Sequence, residues 1–142
     1  MRELTRTALV NRPPELLYGL VCDVRSYPQF VPGCTGAEVL EETEQEIVVR
    51  LAVRRGALRT HFTTRNRLEP PARVSMSLVD GPFRSLDGVW NLTPMPGNGC
   101  RIELRLNFEF SNALKAALIT PLLTDIANSM VGAFVHRAQQ LP

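Results

Sequence analysis

The chain has 142 residues, 44% of them apolar, with 16 basic against 14 acidic side chains and a net charge of +2. That length bounds the chain to one domain, residues 1–142, and the composition excludes a disordered polymer. Near-balanced charge excludes a protein that holds nucleic acid by net charge alone, and no apolar run approaches the roughly 20 residues of a membrane helix. Residues 1–6 lack the apolar core of a signal peptide, so the expected compartment is the cytoplasm.

Residues 3–10 read as a strand with Leu4, Ala8 and Val10 on one face. Pro13, Pro14 and Glu15 then announce a helix, because prolines fit its first turn and an acid suits its positive end. Its apolar stripe is Leu16, Leu17, Leu20, Val21 and Val24. The stretch from Tyr27 to Gly33 holds two prolines and reads as a helical turn or loop. Period-two alternation follows in strands near 38–42, 47–54, 58–68, 74–78, 86–92 and 102–110, the mark of an antiparallel sheet with one wet face. Ser111 and Asn112 cap a helix to about residue 139. Its stripe is Ile119, Leu122, Leu123, Ile126, Ala127, Met130 and Phe134, and Pro121 kinks it. The fold class is therefore α+β: a curved seven-stranded antiparallel sheet around a long C-terminal helix. One helix cannot fill the whole concave face, so an apolar cavity is expected.

Cys22, Cys34 and Cys100 are too far apart for a metal or redox pair and read as reduced core thiols. His61 and His136 have no third ligand at metal spacing. No phosphate loop or nucleophile motif appears. The inward polar residues Tyr18, Tyr27, Thr60, Thr64 and Asn66 orient a carbonyl but do not readily move a proton at neutral pH. The pattern is that of a non-enzyme with no cofactor.

Several blocks together carry a resemblance across residues 3–139. They are Tyr27-Pro28-Gln29-Phe30-Val31-Pro32-Gly33-Cys34, then Phe62-Thr63-Thr64-Arg65-Asn66, Leu78-Val79-Asp80-Gly81-Pro82-Phe83, Gly88-Val89-Trp90-Asn91-Leu92-Thr93-Pro94 and Cys100-Arg101-Ile102-Glu103. The chain resembles the coenzyme Q-binding branch of the START-like superfamily, of polyketide cyclase/dehydrase type. That resemblance implies a helix-grip fold around a hydrophobic tunnel. It implies a ubiquinone or related isoprenoid quinone as ligand, in support of respiration, with contact at the inner membrane. It also implies an alternative, a toxin-like inhibitor that binds the large ribosomal subunit and blocks subunit joining. Thr120-Pro121 departs from the glycine-containing break expected in the last helix.

For the lipid reading, the expected ligand contacts are Phe62, Met76, Leu78, Trp90, Leu92, Leu104, Phe108, Leu122, Ile126 and Met130. Tyr27, Phe30, Pro32 and Phe83 are expected at a gate or membrane-touching rim. Ordinary core packing accounts for the same residue types. For the ribosome reading, Arg50, Arg54, Arg59, Arg65 and Arg67 share outward parity with Arg101 and Arg105, and neighbouring strands would gather them into a stripe for phosphates. Oligomeric state is not legible in the sequence.

Overall fold

The computed structural model describes residues 2–141. Its elements are β1 (Arg2–Val10), α1 (Pro14–Cys22), a 3-10 turn (Val24–Ser26), α2 (Tyr27–Phe30), β2 (Cys34–Glu42), β3 (Glu46–Arg55), β4 (Leu58–Glu69), β5 (Arg73–Asp80), β6 (Ser85–Met95), β7 (Gly99–Glu109) and α3 (Ala113–Gln140). The anticipated order of elements is the order found. β2 starts four residues before the alternation implies, because a bulge between Cys34 and Gly36 breaks the period-two pattern there.

All seven strands form one antiparallel sheet in the order β1-β7-β6-β5-β4-β3-β2. A second irregularity falls at Val39/Glu41 on β2 and a third at Thr63/Thr64 on β4. Such bulges bend a strand and raise its twist, which suits a sheet that wraps around a helix. Trp90, Leu104, Phe108 and Ile102 come from the inward face of β6 and β7, Leu17 from α1, and Leu122 and Phe134 from α3. All are buried.

The Asn112 side chain accepts the Lys115 backbone N–H at 2.8 Å and so caps α3, an interaction that stabilises a helix by about 1 kcal/mol. Pro121 lies inside α3, which leaves the carbonyl four residues before it without its helical donor. The buried stripe is Ile119, Leu122, Leu123, Ile126, Ala127, Val131, Phe134 and Ala138. Met130 is only half-buried because it borders a void. By length and composition α3 is apolar enough to cross a membrane, contrary to the expectation from uninterrupted runs. Here its buried stripe packs on the sheet as a core helix does.

Candidate functional site

A hollow of about 50 Å³ lies between the concave face of the sheet and α3. Its walls are Val49 and Leu51 of β3, Phe62, Thr64 and Asn66 of β4, Met76 of β5, and Leu86, Gly88 and Trp90 of β6. Leu104 and Leu106 of β7, Leu123, Ile126, Ala127 and Met130 of α3, and Val21, Val24 and Tyr27 close it. The volume is room for a few waters and falls well below the roughly 300–1,000 Å³ of a small-molecule site. A guest therefore needs the walls to move. Met76 and Met130, with three rotatable bonds each, are suited to that.

A smaller void of about 10 Å³ lies beside it, lined by Val53, Thr60, Phe62, Phe83, Ile119, Leu122, Leu123 and Ile126. Phe62, Leu123 and Ile126 belong to both linings. These three side chains stand between the two voids.

Of the residues expected to contact ligand, Tyr27, Phe62, Met76, Trp90, Leu104, Ile126 and Met130 line the larger hollow, and Leu122 and Phe83 line the smaller one. Leu78, Leu92 and Phe108 line neither void. They point inward but sit where other side chains close over them. Phe108 packs on Phe83 and Phe110, with centroids 6.4 and 5.7 Å away. Leu92 is 3% exposed. Leu78 approaches the loop at Gly81. Thr64, Asn66 and Tyr27 were legible as inward polar groups. Val49, Leu51, Leu86 and Leu106 share their parity with named neighbours.

Of the four residues expected at a gate, Tyr27 and Phe83 are buried, Phe30 is half-buried and Pro32 is exposed. Tyr27 is 3% exposed, and its hydroxyl donates to the Val21 carbonyl. Phe30 packs on Phe134 with centroids 5.6 Å apart, beneath the Arg137 guanidinium at 5.2 Å. Phe83 is buried against Phe110 at 5.0 Å and Phe62 at 6.0 Å. Two aromatic clusters result. One joins Tyr27, Phe30, Phe134 and Trp90. The other joins Phe62, Phe83, Phe108 and Phe110, beside Ile119, about four helical turns earlier on α3. Aromatic residues between prolines resemble a rim in sequence, but their large apolar area draws them into the core.

One polar pair faces this apolar space. The Thr64 hydroxyl donates to Asn66 Oδ1 at 2.8 Å, and both residues are buried, at 4% and 8% exposure. Burial pushes the Tyr27 phenol well above its ordinary range. Burial likewise raises the thiols of Cys22, Cys34 and Cys100, against weaker lowering by hydrogen bonds to Tyr18, the Gly36 backbone and the Thr93 backbone respectively. Such thiols stay protonated at neutral pH and are poor nucleophiles. Among the described residues, no group of three His, Cys, Asp or Glu is placed to hold a metal.

On the convex face, all five arginines of the expected stripe are exposed, but they do not form a uniform strip. Arg65 pairs with Glu46 at 3.4 Å and Glu41 at 3.7 Å. Arg50 lies opposite Glu38, and Arg67 opposite Glu46. Arg101 and Arg105 are committed to the buried Glu103 at 3.5 and 3.6 Å, which also accepts from Asn91 at 3.1 Å. Arg54 and Arg59 differ in having an arginine, not a glutamate, opposite in register. They stand directly opposite each other at the β3–β4 hairpin, and among the described residues neither has a carboxylate within ion-pair range. Like charges placed so oppose pairing.

Comparison with known proteins agrees with this architecture. Residues 10–135 match the family model described as polyketide cyclase / dehydrase and lipid transport. The chain is 41% identical over 141 residues to the ribosome association toxin RatA of Vibrio cholerae serotype O1, covering 99% of this chain and 98% of that protein. It is 26% identical over 144 residues to the mitochondrial coenzyme Q-binding protein COQ10 of Drosophila melanogaster, covering 98% of this chain and 59% of that protein. The Zhui aromatase/cyclase crystal structure from Streptomyces sp. R1128 superposes with a TM-score of 0.90 at 19% identity, over 98% of this chain and 94% of that one. That likeness speaks for the helix-grip fold alone. With a helix-gripping seven-stranded sheet, an apolar hollow beneath it and a family match over most of its length, the chain belongs to the polyketide cyclase/dehydrase and lipid transport family of START-like proteins.

Proposed function

We propose that the protein is a non-catalytic carrier that binds an isoprenoid quinone of the ubiquinone type in its hollow and serves respiratory electron transport. The observation that carries this reading is an apolar hollow furnished with a single buried polar pair. With Thr64 donating to Asn66 Oδ1, the Asn66 amide N–H₂ is the donor left for a quinone carbonyl. The isoprenoid chain would lie along Met76, Met130 and the aliphatic walls. Tyr27 is the one lining residue with a titratable side chain, and its raised pKa and bond to Val21 suit packing better than proton transfer. The COQ10 relative favours the same ligand class.

Mass spectrometry of lipid extracted from purified protein tests the reading. Wild type is expected to carry a quinone. Met76→Trp, which fills the hollow, is expected to lose it while staying folded. Asn66→Leu is expected to weaken binding about tenfold, the loss of one buried hydrogen bond. Wild type that binds no quinone, even when offered it in excess, refutes the proposal.

A second reading is favoured by the facing arginines Arg54 and Arg59 and by RatA relatives that match nearly the whole chain. In it, the hairpin contacts phosphates of the large ribosomal subunit and inhibits subunit joining from the cytoplasm. An anion between two opposed guanidinium groups relieves their repulsion. Arg54→Gln/Arg59→Gln is expected to reduce co-sedimentation with large subunits and to flatten its log–log salt dependence by about two. An unchanged slope places any such contact elsewhere.

A further inference from the structure

Of the large apolar side chains left exposed, Leu9, Leu40, Val79 and Met95 lie singly on four strands, whereas two stand one helical turn apart. Leu114 is 70% exposed and Leu118 52%, both on the first half of α3. They share a helix stripe with Asp125, since positions four and eleven apart fall on one side of a helix. Asp125 pairs with Arg55 of the β3–β4 hairpin at 2.5 Å. The two leucines are therefore on the flank of α3 turned toward that hairpin. Leu58 of the hairpin packs with Val53 against Leu122 and Ile126, and Val53, Thr60, Leu122 and Phe83 wall the void between hairpin and helix.

Charge around this patch is one-sided. Residues 113–124 carry Lys115 and no acid. The hairpin tip adds Arg54, Arg55 and Arg59. Asp125 is paired with Arg55, and Glu109, which borders the start of α3, is paired with Arg84 at 3.6 Å. Exposed leucines inside a basic fringe are the pattern of a protein that sits on an anionic lipid surface. A phosphate-rich partner without apolar contacts would not explain the leucines.

We propose that the first half of α3 and the β3–β4 hairpin dock on an anionic lipid bilayer, with Leu114 and Leu118 inserted among the acyl chains and Arg54, Arg59 and Lys115 at the phosphates. Docking places the smaller void at the acyl chains, so a lipid reaches the hollow past Phe62 without crossing water. This inference rests on the lipid reading above and supplies its route of loading.

The test is co-sedimentation with vesicles of phosphatidylcholine, with and without phosphatidylglycerol. Wild type is expected to pellet with the anionic vesicles, more weakly with neutral ones, and less as salt rises. Leu114→Glu/Leu118→Glu changes exposed side chains, so it folds, and is expected to abolish pelleting. Arg54→Gln/Arg59→Gln is expected to weaken it about fivefold per arginine. Leu118→Trp is expected to strengthen it, with emission shifting to the blue as the ring enters the bilayer. Met76→Trp is expected to pellet like wild type while carrying no quinone, which separates this proposal from the one beneath it. Absence of binding to anionic vesicles, or binding indifferent to both leucines, overturns it. Loss of ribosome sedimentation in the leucine variant, with vesicle binding intact, assigns the patch to the ribosome and also overturns it.

Discussion

Phe134→Ala is expected to lower folding stability by about 3–5 kcal/mol, the upper end for a buried aromatic. Phe134 is fully buried and is the ring on which three others converge, with Trp90 at 5.1 Å, Tyr27 at 5.4 Å and Phe30 at 5.6 Å. Removing it deletes the transfer free energy of the ring and unmakes all three aromatic contacts at once. Those neighbours come from α2, the residue opening α2 and the middle of β6, so the site cannot collapse by moving one element. Urea denaturation followed by far-ultraviolet circular dichroism measures the loss. A drop below about 1.5 kcal/mol would show that the void already present nearby lets the walls close in.

Gly33→Ala is expected to cost about 2–4 kcal/mol, for two separate reasons. Gly33 has φ of +86°, a region that penalises an L side chain by roughly 1–2 kcal/mol. A Cβ there would also lie 2.4 Å from Ile126 Cδ1 and 3.3 Å from the Arg54 carbonyl, and overpacking adds about 1–3 kcal/mol. Shortening Ile126 should recover the steric part and leave the backbone part. Ile126→Val introduced beside Gly33→Ala is therefore expected to restore about half of the loss, as a non-additive double-mutant cycle. Strict additivity would assign the whole effect to the backbone. Because Ile126 is one of the three side chains between the two voids, the same clash should also change the shape of both.

The alternation of apolar and polar residues was enough to read which face each strand buries, and the proline and Asn112 signals were enough to bound the helices. What it could not supply was depth. Leu104 and Leu92 are indistinguishable by parity, yet Leu104 borders the hollow and Leu92 lies in solid core. The difference is set by where a bulged and twisted sheet leaves its helix, a property of the whole assembly. Tyr27 and Phe83 were misplaced for another reason. A loop position suggests exposure, whereas burying an aromatic ring overrides it. In the arginine group, outward parity was legible but partnership was not. Glu46 neutralises Arg65 from a neighbouring strand, and nothing within β4 announces that the Arg54–Arg59 pair lacks such an acid.

Strands β3 and β4 each carry two interleaved messages. On β4, Thr60, Phe62, Thr64 and Asn66 belong to the voids, while Arg59, Arg65 and Arg67 alternate with them on the outside. A substitution at one parity alters what is enclosed, and a substitution at the other alters what is met from outside. Neither disturbs the backbone ladder that both share. The inner and outer faces of such a strand are thus free to change independently, one residue at a time. The same sheet-and-helix architecture occurs in proteins as differently named as an aromatase/cyclase and a ribosome association toxin.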